Sequence, residues 1–188
     1  MVRARGMALA HLSEHPELGG GERREVFLSH LDSKTRTLIE KGISAERWYA
    51  EHHHLSAYNA VVATLGLDTD EKVFRFFFES QRDVLISSKR TSFHTLSAVL
   101  AQTPVRWRRG HDTGHLSVGQ RSETGVRAIL RDHPYAEDRV FRLVVLGGIA
   151  ALVSDIVTVE EATAERAGPQ RAKLTLNWAR RRTSSAGA

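Results

Sequence analysis

The sequence predicts an α+β fold, with N-terminal helices packed on a twisted antiparallel sheet of about four strands and one buried helix between strand pairs. Three observations carry that prediction. Apolar residues recur at helical spacing through roughly the first hundred positions. From Pro104 onward the period becomes two, as in half-buried strands. The apolar run Leu143–Val153, containing Gly147-Gly148, is long enough for a core helix and too short to span a bilayer. Helices grouped apart from strands argue α+β rather than a parallel α/β design. No linker-like stretch separates the halves, so residues 1–182 are expected to form a single domain and 183–188 a disordered tail.

Taken in order, residues 4–15 suit a first strand or short helix, halted by Pro16 and the Gly19-Gly20-Gly21 turn. Glu22–Leu31 places Val26, Phe27 and Leu31 on one helical face, and Asp32-Ser33 can cap a second short helix that ends at Gly42. Ile43–Tyr49 reads as a connector. A third helix spans about Glu51–Leu65 and stops at Gly66. Asp68-Thr69-Asp70 caps a fourth, whose stripe is Val73, Phe74, Phe77, Phe78 and Leu85. Thr91-Ser92 caps a fifth, with Phe93, Leu96, Val99 and Leu100 inward. Pro104–Gly110 is then expected as a basic strand, with Trp107 on one face and Arg106 and Arg108 on the other. Further strands are expected around Leu116–Val118, Val126–Leu130, Ile156–Glu160 and Leu174–Trp178, with turns at Asp112-Thr113-Gly114, Gly119–Gly125 and Gly168-Pro169.

Composition narrows the chemistry. The 188-residue chain has no Cys, which excludes disulfides, thiolate metal sites and cysteine nucleophiles. The N-terminus lacks an apolar segment of secretory length, so a cytoplasmic protein is expected. The net charge of +5 is too modest to be a nucleic-acid signature, and no nucleic-acid partner is expected.

The ten histidines raise a metal reading. His11-Leu-Ser-Glu14-His15 matches the H-x-x-E-H pattern, which on a helix puts two imidazoles on one face with a carboxylate beside them. Pro16 follows at once and no third-ligand helix is evident. The triplet His52-His53-His54 cannot grip one ion, because neighbours on a helix point about 100° apart. His111-Asp112-Thr113-Gly114-His115 fits a turn, where Asp and Gly are at home. No catalytic residue, metal ligand set or cofactor motif is therefore expected, and the chain reads as a non-enzyme.

What remains is a binding reading. Phe74, Phe77 and Phe78 can belong to the core or line an apolar pocket, and Trp107 can join them. Arg106 and Arg108 can meet an anionic ligand end, or stand as a solvated edge. Gly147 and Gly148 weaken a helix by about 1 kcal/mol each relative to Ala. That cost points to close approach of another backbone, within the core or across a homodimer interface. The alternatives kept beside a small apolar or amphipathic ligand are a protein–protein module without ligand and a His-dependent metalloenzyme built on His11 and His15.

Val2-Arg-Ala-Arg-Gly6, Leu31-Asp…Arg36…Gly42-Ile…Trp48-Tyr49, Arg75-Phe76, Pro104…Trp107…Gly114, Leu146-Gly147-Gly148 and the terminal Trp178 together resemble a paralogous protein family of about this length from myxobacteria. More distantly the chain resembles the ligand-binding fold of 4-vinyl-reductase-like domains, haem nitric-oxide-binding proteins and TRAPP vesicle-tethering subunits. The resemblance implies a helical layer on a twisted antiparallel sheet, often dimeric, with an apolar cavity, and a sensor or adaptor role. It also marks departures. Arg166–Arg171 stands where many 4-vinyl-reductase-like domains carry a Cys cluster, the Tyr-x-Ser-x-Arg haem-propionate motif is absent, and the Cys palmitoylated in TRAPP subunits has no counterpart.

Overall fold

The structure is a computed structural model and describes residues 2–87 and 95–180. Its elements are β1 (Arg3–Arg5), α1 (Met7–Ser13), α2 (Gly21–Ser29), α3 (Ser33–Glu40), β2 (Trp48–Ala50), α4 (Glu51–Leu65), α5 (Asp70–Ser87), α6 (Leu96–Gly110), β3 (His115–Arg121), β4 (Gly125–Arg131), α7 (Arg139–Val153), β5 (Val157–Gly168) and β6 (Arg171–Arg180). The expected class holds: helices lie against a four-stranded antiparallel sheet ordered β3-β4-β6-β5, and α7 lies between the strand pairs in sequence.

Local signals set most boundaries. Asp32 caps α3, its Oδ1 accepting from the Lys34 and Thr35 amides at 3.0 Å each. Asp138 caps α7 by accepting from Phe141 N at 2.8 Å. Gly66 ends α4 in the left-handed region, φ +62°, where a Cβ would be strained. The Thr91-Ser92 cap, the inward Phe93 and the 183–188 tail lie outside the described residues.

The Pro104–Gly110 strand is corrected. That segment is the second half of α6, with Pro104 inside the helix. An internal proline costs a helix about 3 kcal/mol or more. Here the helix spans it because Val99, Leu100, Thr103 and Trp107, spaced 1, 3 and 4, form one buried face. Val105 and Trp107 mimic alternation over a window too short to separate the two periods.

The sheet buries one face. Val126, Ala128 and Leu130 from β4 and Ala172, Leu174, Leu176 and Trp178 from β6 alternate inward, nearly solvent-free. Trp178 closes one end of this face: its amide donates to Thr124 O at 2.8 Å and its indole N–H to Glu123 O at 3.1 Å. β5, an edge strand, is buried mainly at Val157. α7 packs between this layer and α5, so the helices and sheet share one core.

Short backbone pairings tie the N-terminus into this frame. β1 pairs antiparallel with β2 through Arg3↔Ala50, Ala4↔Tyr49 and Arg5↔Trp48. Ala4 also bridges to His111, and Arg3 binds Asp112 through its amide at 2.7 Å and its Nε at 2.9 Å. The N-terminus is thereby stitched to the start of α4 and the end of α6. Among the described residues no helix is long and apolar enough to cross a membrane.

Candidate functional site

Two neighbouring features stand out in the interior: a cavity and a buried carboxylate held by two imidazoles. The cavity, about 260 Å³, lies where α1, α4, α5, α6 and α7 converge. Its walls are mostly apolar, with Leu12, Phe77, Leu116, Phe141, Val145 and Ile149 among them. Met7, 45 % exposed, marks the solvent side.

The cavity contains some of the residues expected in a pocket and not others. Phe77, Trp107 and Arg106 line it, whereas Phe74, Phe78 and Arg108 do not. Phe74 and Phe78 stack on each other, centroids 5.9 Å apart, on the partly exposed flank of α5, and Arg82 sits over Phe78. Arg108 is exposed on the outer face of α6. The helical placement of the segment puts Arg106 next to Trp107 on the cavity side, a relation that a strand would have forbidden. Gly147 and Gly148 face α5. A Cβ on Gly147 would meet Phe78 N at 3.0 Å, and one on Gly148 would meet Gln81 Oε1 at 2.5 Å. Their close approach is to a helix of the same chain.

Along α4, positions 51, 54 and 58 fall on one face and bring Glu51, His54 and Tyr58 to the interior, all nearly solvent-free. Glu51 is 1 % exposed. Its Oε1 accepts from His111 Nδ1 at 2.8 Å, and its Oε2 lies 3.0 Å from His133 Nε2. Burial pushes the Glu51 pKa up, but the two imidazole contacts outweigh it and hold the carboxyl at about 2. The rings are clamped in turn. Trp107 stacks on His111 at 3.8 Å and 6°, and Phe141 stacks on His133 at 4.6 Å and 13°.

Glu51, His111 and His133 are the one group of three metal-capable donors among the described residues, with ligand atoms within 4.8 Å of one another. The surroundings of His133 argue against a metal. Its Nδ1 accepts from the Tyr135 amide at 3.3 Å, so the ring hydrogen sits on Nε2, which lies beside Glu51 Oε2 without a hydrogen bond. A metal at Nε2 needs the opposite tautomer, with Nδ1–H aimed at an acceptor; here it would face another N–H. The cluster is a buried polar network joining α4, the end of α6 and the loop after β4, hydrogen-bonded at His111 and in close contact at His133. Sequence reasoning did not single out Glu51 or His133. The only signal was a Glu opening a helix beside three histidines.

The other histidines separate. His53 Nδ1 meets Thr35 Oγ1 at 2.7 Å, and His52 is exposed. His54 is buried: its Nε2–H donates to Arg5 O at 2.9 Å, while its Nδ1 is buried without a hydrogen-bond partner. Burial drives its pKa down to about 4, so the ring is neutral. His11 lines the cavity, but α1 ends at Ser13, so His11 and His15 do not share one helix; their rings stand edge to face at 5.5 Å.

No protein-family model matches the chain, and no curated protein matches it in sequence. Solved structures do match. An unliganded Fe(II) H-NOX protein from K. algicida superposes with a TM-score of 0.66 at 11 % identity, over 93 % of this chain and 96 % of that one. An S. oneidensis H-NOX protein in the Fe(II)NO ligation state gives 0.59 at 12 %, over 93 % and 99 %. An oxygen-binding H-NOX domain related to soluble guanylate cyclases gives 0.56 at 13 %, over 93 % and 94 %. At these identities the likeness is one of fold, and it matches the resemblance to haem nitric-oxide-binding proteins read from the sequence.

The residues of this chain do not suit a haem. A cavity of about 260 Å³ falls below the roughly 300–1,000 Å³ that drug-sized ligands take, and a tetrapyrrole is larger than those. The imidazoles on the cavity wall are His11, His54 and His111, and His111 Nδ1 is committed to Glu51 under the Trp107 ring. His54, which does line the cavity, has its Nε2 committed to Arg5 O.

Proposed function

We propose that this chain is a non-enzymatic cytoplasmic sensor or adaptor domain that binds a small, mainly apolar ligand in the cavity between its helices. The observation that carries this reading is the cavity itself: apolar walls with few polar atoms, set in one continuous core. The H-NOX-like architecture supports it, since those relatives in fold include a domain described as oxygen-binding. The non-enzymatic part rests on how the polar groups are used. Glu51 is sealed from solvent and held between two imidazoles, His111 and His133.

Native mass spectrometry of protein purified from its own host tests the reading. A retained small molecule in a fixed ratio is the expected result. A clean apo mass, together with unchanged melting on addition of small apolar compounds, overturns it.

A further inference from the structure

Two hydroxyl groups on the cavity wall carry no hydrogen bond. Tyr58, on α4, and Ser80, on α5, both line the cavity and are only 6 % and 3 % exposed. The contacts of Tyr58 are those of its ring, edge to face with Phe77 at 5.4 Å and with His54 at 6.3 Å. Neither hydroxyl has a hydrogen-bond partner among the described residues, yet neither belongs to the set of polar atoms sealed from water, which includes His54 Nδ1 and His11 Nε2. In a nearly solvent-free residue on the cavity wall, the surface that water can still reach is the cavity's. Other polar groups of the wall differ: Thr103 Oγ1–H donates to Val99 O at 3.3 Å, Gln81 Nε2–H to Val144 O at 2.9 Å and Trp107 Nε1–H to Gly114 O at 3.1 Å. Phe77, which meets the Tyr58 ring, lies one turn before Ser80 on α5, so the two hydroxyls stand on adjoining walls. Burial and the charge of Glu51 push the Tyr58 pKa up, so this hydroxyl keeps its hydrogen.

We infer that the cavity binds a small, mainly apolar molecule through a carbonyl-type oxygen, which accepts hydrogen bonds from the hydroxyls of Tyr58 and Ser80. This rests on the small-ligand reading above and names the ligand's polar group. Two donors set in apolar walls reward an acceptor, because an apolar occupant would leave both of them buried and unpaired. The oxygen can belong to a neutral ketone, aldehyde or amide, or to a carboxylate. Among the described residues no Asp or Glu lines the cavity while Arg106 does, so a charged oxygen meets no opposing carboxylate on the wall. The size follows from the volume. Liquid water takes about 30 Å³ per molecule, so 260 Å³ admits on the order of ten heavy atoms, the size of a substituted benzene.

The test uses three probes of nearly one shape on the full chain at neutral pH: acetophenone, benzoate, and cumene, in which a methyl group replaces the oxygen. Affinities come from titration calorimetry. Tyr58→Phe removes the hydroxyl and keeps the ring, and is expected to weaken acetophenone about five- to tenfold while leaving cumene unchanged. Ser80→Ala should act in the same direction. In the unaltered protein the carbonyl stretch of bound acetophenone should fall below its value in hexane, a readout that holds even where a variant misfolds. Benzoate that binds tighter than acetophenone and weakens in both variants supports the contact and assigns the oxygen to a carboxylate, and the opposite order assigns it to a neutral carbonyl. Binding of cumene alone, or of oxygen-bearing probes whose affinity neither variant alters, overturns the inference and leaves a ligand cavity standing. If none of the three binds, the small-ligand reading falls with it.

Discussion

The imidazole of His133 stands 3.0 Å from the carboxylate of Glu51, with both residues sealed from solvent. One comes from the loop after β4 and the other opens α4, and His111 at the end of α6 completes the set. Three parts of the chain distant in sequence thus converge on one buried anion.

Removing that anion should be costly. A hydrogen bond to a charged group contributes about 1.5–3 kcal/mol, and Glu51→Ala, which strips the carboxylate from two imidazoles, is expected to lose at least that much by urea denaturation. Glu51→Gln keeps an acceptor for one imidazole and should lose less. Equal stability of Glu51→Ala and the parent would show that the network holds nothing together.

Stability should fall with acidification in two stages. His54 has its folded pKa lowered to about 4 from 6.5. The unfolded chain takes up a proton below pH 6.5 and the native state does not until about 4, so stability is full above 6.5 and declines across that window. The loss is on the order of 3 kcal/mol. Glu51, lowered to about 2 from 4.5, contributes stability present above 4.5 that is lost as pH drops toward 2. Melting temperatures at pH 7.5, 5.5 and 4 measure the first stage. A flat profile over that range contradicts the buried neutral state of His54.

Gly147→Ala and Gly148→Ala should differ. Each gains about 1 kcal/mol of helix propensity. The new methyl at 147 meets backbone atoms of α5, which cannot swing aside, whereas the one at 148 meets the end of the Gln81 side chain. Overpacking of the first kind costs about 1–3 kcal/mol, so Gly147→Ala should melt lower than Gly148→Ala. The reverse order would mean that α5 and α7 separate easily.

Much of the fold was legible because its signals are local. Asp32 and Gly66 mark helix ends by chemistry that acts within a turn, and β4 and β6 show their alternation directly. The error at Pro104 arose where two local rules disagreed, proline against a helix interior and a four-residue buried face in favour of one. Tertiary burial decided it. The site was harder. Phe77, Trp107 and Arg106 could be suspected from residue type, but Glu51 and His133 acquire meaning only through pairing across the core. His54 looked like one of three equivalent histidines until the helix turned it inward and the Arg5 carbonyl fixed its hydrogen.

β1 has only three residues, yet it is tied on one edge to β2 and on the other to His111 and Asp112. α1, a cavity wall, hangs from its end, and Glu51 begins where β2 stops. Any occupant large enough to press α1 outward loads this tie. The load reaches the Arg5↔Trp48 pair, where a half-exposed indole sits under a guanidinium at 5.4 Å. Trp48 thus marks, at the surface, the far end of a backbone tie that begins at the cavity wall.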